Sequence, residues 1–508
     1  MADRASLILC MAIGLMLGGR AGAQPAGIDF RSAMGQAQEA AGREDCAGVL
    51  QALDPVISTV EKGPERLLAQ RMRLICLGSE GRARELAAVQ RELAEALPRD
   101  GMVKAFGALI AADENRFGDA AEQITMLAST SPRSLDVLTG AAVRAISVKL
   151  AEDHAHDEVR GRMMVALARA DWAPADFPEL RLGFAEGAID ALIDQGDAAE
   201  AEGLLERIDQ PELLSGMMID RHYAKLWPAL EARLGPSSSV SVDRFARDRL
   251  ALLGDSPDSE VAQREAVNAM LLLGRYQDVV EMTEDVPVAE GISRDKVRTL
   301  LYRARALAAL RRNDDVDTLY AGFLALDVRK SPSASNALVS YAEFLDEIGR
   351  PEKALAVARE TRTKAGDMLT EVGKLWLDRT EACTLSSLGR TAEANQAIKA
   401  IKARAERNQA AAIEALLCAK RDVEASRIAV KAFENKDAIG DLVIQFQPAA
   451  SLWAPAPSRL RDLWIAFLAR PEIKTAFDRK GRILPRSFWP DAKPRSIPRR
   501  PSDGATLT

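Results

Sequence analysis

The sequence is short of aromatic rings and almost devoid of imidazole: Phe, Trp and Tyr are 5% of the 508 residues, and there are three histidines. Few aromatic or β-branched runs, set against abundant Ala, Leu, Glu and Arg, exclude a sheet-built core and favour helices packed through small side chains. Neither sign of charge dominates. Lys and Arg number 68 against 74 Asp and Glu, a formal −6, so no basic field points to nucleic acid as a partner. Long apolar runs are missing too. The stretch from Ala5 to Leu17 falls short of the roughly 18 to 20 residues that cross a bilayer, and no later stretch approaches that length, which leaves no transmembrane span.

Catalytic signatures are equally scarce. No G-x-S-x-G, H-E-x-x-H, P-loop or G-x-G-x-x-G pattern follows the first 23 residues. Ser293-Arg294-Asp295-Lys296 matches S-x-x-K but lacks the S-D-N and K-T-G elements that accompany it in serine β-lactamase-like enzymes. Ser293 stands where a helix begins and reads as an N-cap. His154 and His156 lie among carboxylates between Glu152 and Glu158, yet residues i and i+2 on a helix point apart, so the stretch reads as a solvated acidic junction rather than a metal site. His222 reads as a structural polar residue. The expectation is a protein without catalytic residues, cofactor or metal.

What is present starts with a secretory pattern: Arg4, the apolar run, then Ala21-Gly22-Ala23 before Gln24. It predicts a signal peptide over 1–23 and an exported chain, periplasmic or secreted. Beyond it, a unit of aliphatic residue, Gly or Asn, one or two polar residues and a small-residue helix recurs. Examples are Gly81-Arg82, Asn115-Arg116-Phe117, Gly196-Asp197, Gly274-Arg275-Tyr276, Gly349-Arg350-Pro351 and Gly389-Arg390, with weaker members at Gly42 and Asn313. Each reads as a helix ending in the left-handed region and followed at once by a second helix. The period of about 34 to 40 residues marks an array of helical hairpins, about ten by that count.

These residues resemble the tetratricopeptide repeat. Small residues fall at two fixed places relative to the turn (Ala108, Ala306, Ala342, Ala382; then Ala47, Ala120, Ala201, Ala354, Ala394), and Pro98 and Pro132 stand where the family ends its second helix. The clearest repeat is Leu338, Tyr341, Ala342, Leu345, Gly349, Ala354, Ala358. The resemblance covers most of 30 to 430, with poor fits over 133–180 and 211–262. It implies an all-α, TPR-like right-handed α-solenoid in two blocks with a C-terminal capping helix. The boundaries read as an N-terminal block over 24–210, an irregular helical connector over 211–262 around the polar break Gly235 to Ser239, a second block over 263–434, capping helices over 435–485 and a disordered basic, Pro-rich tail over 486–508. The cap is expected from Ser458 as N-cap before Leu460, Leu463, Trp464, Phe467 and Leu468, an amphipathic stripe ended by Pro471.

With Cys10 inside the signal, Cys46, Cys76, Cys383 and Cys418 remain in a compartment that permits disulfides. The members of each neighbouring pair lie about one repeat apart, so Cys46 with Cys76 and Cys383 with Cys418 is the natural pairing among three; free, core-filling cysteines are the alternative. In the family the first helix of each pair lines a concave face. Outward positions there are Arg264 and Asn268, Arg303 and Leu307, Glu343 and Asp346, Trp376 and Arg379, a mixed-charge groove suited to a protein or peptide segment. The expected function is a non-catalytic protein–protein interaction scaffold of the bacterial periplasm or cell envelope. The alternatives are a glycan-binding or tethering module and a divergent peptidoglycan-active hydrolase. From Arg479 to Arg500, eight basic residues face Asp491 alone, which suggests weak contact with an anionic surface.

Overall fold

The computed structural model describes residues 29–435 and 439–499; the expected signal over 1–23 and the last nine residues lie outside them. The chain is an all-α solenoid of helical hairpins that divides into two units, Met1–Ile208 and Asp209–Thr508. Among the described residues there is no strand, only an isolated antiparallel bridge between Asp220 and Gly481.

The first unit contains α1 (Phe30–Gly42), α2 (Cys46–Leu53), α3 (Pro64–Ser79), α4 (Ala83–Ala96), α5 (Gly101–Asp113), α6 (Phe117–Thr130), α7 (Gly140–Ala151), α8 (Asp157–Arg169), α9 (Leu180–Gln195) and α10 (Ala198–Leu204). The second opens with α11 (Pro211–Ile219), α12 (Trp227–Leu234) and α13 (Ser239–Asp255), so the stretch expected as an irregular helical connector lies in this unit. Five hairpins follow: α14 (Glu260–Leu272) with α15 (Tyr276–Met282), α16 (Arg294–Ala309) with α17 (Asn313–Ala325), α18 (Ser335–Glu347) with α19 (Pro351–Ala365), α20 (Glu371–Ser387) with α21 (Thr391–Lys402), and α22 (Gln409–Cys418) with α23 (Asp422–Ala432). The C-terminal segment adds α24 (Ile439–Gln445), α25 (Arg459–Leu468) and α26 (Pro471–Lys480).

The α18/α19 hairpin shows how sequence makes the repeat. Leu338, Tyr341, Ala342 and Leu345 are buried on one face of α18, and Ala354 and Ala358 are buried on the facing side of α19. Alanines there let the two backbones approach closely. Gly349 has φ +75°, and the turn closes by Arg350 N–H donating to Leu345 O at 2.8 Å, a Schellman bond, before Pro351 starts the next helix at a position that needs no donor. The same left-handed place is taken by Gly81, Gly196, Gly274, Gly389 and Asn115, but also by Glu44, Arg311 and Lys420. Thus the weak members read at Gly42 and Asn313 turn two residues away from those positions.

Both expected cysteine pairs are brought together. Cys46 at the start of α2 and Cys76 in α3 have Cα atoms 4.8 Å apart and form a disulfide; Cys383 in α20 and Cys418 at the end of α22 do the same at 5.0 Å. Each lies within ordinary bridging reach. The polar break at 235–239 is a tight corner tied to the C-terminal segment. Gly235, Ser237 and Ser238 have positive φ, and the fully buried Ser238 donates its hydroxyl to Phe488 O at 2.7 Å.

Candidate functional site

Among the first helices of the second unit, α14 packs on α16, and α18, α20 and α22 pack side by side; all eight groove residues lie on four of these five helices. Their side chains do not form the open face the sequence suggests. Arg264, Asn268, Leu307, Asp346 and Arg379 are buried, and only Arg303, Glu343 and Trp376 keep partial exposure. Leu307 belongs to the hydrophobic core. Arg303 turns away to the Thr283 carbonyl at the end of α15 (2.9 Å), and Arg264 is held by Glu265 (2.6 Å) and Asp295.

At α16, α18 and α22 the C-terminal segment covers this face, whereas on α14 Asn268 meets Glu212 of α11. Arg459 pairs with Asp346 at 2.7 Å. Trp464 is buried and donates its indole N–H to Glu414 Oε2 on α22 at 2.7 Å, the Trp453 carbonyl lies 3.4 Å from Arg305 of α16, and Ser458 engages Glu347 of α18. Ser458 also caps α25 as expected, accepting from Arg461 N–H at 2.9 Å. The stripe it starts is therefore directed inward: Leu460, Trp464 and Phe467 are buried, and Phe446 meets Trp464 and Phe477 edge to face, with ring centroids 5.0 and 5.2 Å apart. Burial of one such aromatic side chain is worth up to roughly 4 to 6 kcal/mol in area bookkeeping.

Beneath α25 lies a buried ionic cluster. Arg379, fully buried, places Nε 3.0 Å from Glu414 Oε1 and Nη2 2.6 Å from Glu343 Oε1, with its guanidinium 5.0 Å over the Trp376 ring. Four carboxyls (Glu343, Asp346, Glu347, Glu414) thus share Arg379, Arg459 and Arg461. Burial pushes the Asp346 and Glu414 carboxyls up, with Arg459 and Arg379 opposing. Glu347 is pushed up to about 7, first by burial and then by Glu343 and Glu414, against the pull of Ser458 and Arg379.

Beyond α26 the segment returns to the first helices of the same unit. Arg482 N–H donates to Ile219 O (2.8 Å), its Nε to Met218 O (2.6 Å), and its guanidinium lies 3.5 Å from the centroid of Trp227. Gln447 fixes the crossing by accepting from Leu484 N–H (2.9 Å) and donating to Arg482 O (3.0 Å). Arg495 N–H donates to Leu273 O (2.9 Å), and its Nη2 contacts both Asp243 oxygens at 2.8 Å. Over 486–499 the expected disordered tail is therefore docked. One of its guanidiniums, Arg495, is paired with a carboxylate, which leaves less free charge for an anionic surface than the sequence suggests, while Arg486 lies 5.4 Å over the Trp489 ring and keeps its charge. Residues 500–508 lie outside the described residues.

A cavity of about 330 Å³ remains between this segment, α11, α16 and α18. Its polar lining includes Glu212, Arg305, Glu347, Gln447, Ser458 and Arg461. Elsewhere, Ser293 is the N-cap of α16, accepting from Lys296 N–H at 3.2 Å. His154 is exposed beside Asp157 (3.0 Å), and among the described residues no three His, Cys, Asp or Glu side chains are grouped to hold a metal ion. No described helix is long and apolar enough to cross a membrane.

The hairpin array is compatible with the tetratricopeptide-like fold. No known family model matches the chain, and no curated protein matches it in sequence. Among solved structures, "Structure of Naa15/Naa10 bound to HypK-THB" is similar with a TM-score of 0.25 and 13% identity, over 89% of this chain and 73% of that one. A likeness of this order says nothing of function.

Proposed function

We propose that the protein is a non-catalytic protein–protein interaction scaffold, exported to the bacterial periplasm or cell envelope. The observation that carries this reading is the seating of Trp453 to Leu468 on α16, α18 and α22: a stretch of chain anchored by aromatic and Arg side chains lies along a row of first helices, the mode by which helical repeats take up peptide segments. Export is supported by the pattern over 1–23 and by the two disulfides, which suit an oxidising compartment.

In the first unit the equivalent face is α3, where Leu68 (48% exposed) and Ile75 (46%) flank Arg71, which reaches Asp100 at the N-cap of α5 (3.1 Å). This is the face assigned to an apolar segment of a protein partner. The test is stoichiometric co-purification from an envelope fraction by the intact protein and by a Leu68→Asp, Ile75→Asp variant. The side chains are half exposed, so the fold should tolerate both changes. A partner retained by the intact chain and lost by the variant supports the reading, whereas a partner retained equally by both removes this face, and none at all removes the scaffold. Glycan binding, the alternative, needs aromatics stacked on an open face, and burial of Trp453 and Trp464 speaks against it.

A further inference from the structure

The seat of α25 is made of charge. Glu343, Asp346 and Glu347 of α18, Arg379 of α20 and Glu414 of α22 set four carboxyls against one guanidinium, and α25 brings Arg459 and Arg461 to them. A face buried for good is expected to be apolar, because burial strips an ion of its hydration and pairing seldom returns more than that. Here the cover leaves Asp346 Oδ2, Glu347 Oε2 and Arg379 Nη1 without a hydrogen-bond partner among the described residues, and water would supply one if the face were open. The segment, by contrast, keeps its rings among themselves: Phe446 lies 5.0 Å from Trp464, 6.3 Å from Phe467 and 5.2 Å from Phe477. Its anchors on the seat are polar, Arg459 to Asp346 and the Trp464 indole to Glu414. Lifting it therefore hydrates charges and leaves those ring contacts within the segment. The face also runs on into solvent. Along α20, Val372 is exposed and Trp376, one turn on, is partly so, with its ring 5.0 Å from the Arg379 guanidinium. The covered seat and this open apolar strip are one surface.

We propose that this surface is a docking groove for a helical segment of a partner protein that carries an arginine and, five residues on, a tryptophan, and that α25 occupies it in cis as a competitor. The acidic seat selects the guanidinium, Glu414 accepts from the indole N–H, and the strip of Val372 and Trp376 offers the first contact from which α25 is displaced. A tethered competitor lowers the partner's apparent affinity by the fraction of time the seat is open, so binding is gated without any change in the seat. The groove rests on the scaffold reading for the existence of a partner, but its test does not, since the probe is a synthetic peptide and the α3 face plays no part. A fluorescein-labelled peptide of residues 456–470 is titrated by fluorescence anisotropy with the full chain and with a released variant, Arg459→Glu with Trp464→Phe. Arg459 is partly exposed and Phe keeps a ring at 464; Arg459→Glu alone is the milder release, and circular dichroism reports the fold of each.

The expected result is a Kd of about 10 μM or tighter for the released variant and binding about tenfold or more weaker for the intact chain. Adding Asp346→Asn to the released variant, or placing Arg459→Glu in the peptide, should each cost about tenfold. Absence of binding by both folded variants overturns the proposal, since the segment is then a fixed cap, and loss of fold in both overturns it because the segment is then part of the core. Equal affinity of the intact and released chains removes the competitor, and affinity indifferent to Asp346→Asn removes the seat. A released variant that dimerises and excludes the peptide assigns the groove to a second copy of the chain and overturns the partner.

Discussion

Replacing Glu347 by Gln should stabilise the protein, and the size of the effect should depend on pH. Glu347 sits between α18 and the covering segment, where burial and the neighbouring Glu343 and Glu414 move its carboxyl from an ordinary 4.5 up to about 7. The folded chain therefore holds a proton that the unfolded chain releases across this interval, so raising the pH from 5 to 8 favours the unfolded state. At about 1.4 kcal/mol per pH unit, the full penalty on the ionised carboxylate reaches about 3 kcal/mol by pH 8 and is about 1 kcal/mol or less at pH 5. Gln keeps the shape and the capacity to meet Ser458 but carries no charge. Urea unfolding followed by tryptophan fluorescence is a suitable assay, because Trp227, Trp376, Trp453, Trp464 and Trp489 all lie in the second unit. The variant should be more stable than wild type by about 3 kcal/mol at pH 8, converging towards it at pH 5. A variant no more stable at pH 8, or a gain that does not shrink on acidification, would refute the assignment of a desolvated carboxyl.

Arg379→Ala removes the cation from under Glu414 and Glu343 and should lower stability by about 3 to 5 kcal/mol, read as a fall in the urea midpoint; an unchanged midpoint would show that Arg379 is not buried. Thiol titration of the unreduced protein should find none of Cys46, Cys76, Cys383 or Cys418 free, and the joint Cys383→Ser, Cys418→Ser change should cost about 2 to 4 kcal/mol. Four titratable thiols would count against both bridges. Arg495→Ala, which deletes the two contacts to Asp243, should cost about 1 to 2 kcal/mol. A melting temperature indifferent to the change would restore the view of this stretch as a loose tail.

The hairpins were legible where glycine takes the left-handed place, because at Gly81, Gly196, Gly274, Gly349 and Gly389 the residue type itself reports the backbone. Glu44, Arg311 and Lys420 adopt the same conformation without any residue signal, so the sequence places two turns two residues away from where they fall and gives no mark of the α22/α23 turn. The groove was assigned to the right helices, but helical periodicity cannot distinguish a face open to water from one covered by another segment. Arg379 and Asp346 look solvated until Trp464 and Arg459, more than 80 residues on, are brought over them. The tail is illegible for a related reason: four prolines and scattered Arg carry the composition of a disordered end, whereas the partner of Arg495, Asp243, lies more than 250 residues earlier. The signal that was present is the concentration of Trp453, Trp464 and Trp489 near the end of the chain, a large amount of apolar surface for a terminus to leave in water.

The central claim is that the C-terminal segment lies on the inner helices of the second unit. Hydrogen–deuterium exchange of the intact protein tests it most directly, because α25 has ten residues and a helix below about 12 to 15 residues does not hold its amides in water on its own. Docking therefore predicts that the amides of Leu463 to Leu468 exchange as slowly as those of α22, on which they pack. Exchange of α25 at the rate of an unstructured peptide, with α18, α20 and α22 still protected, would contradict it.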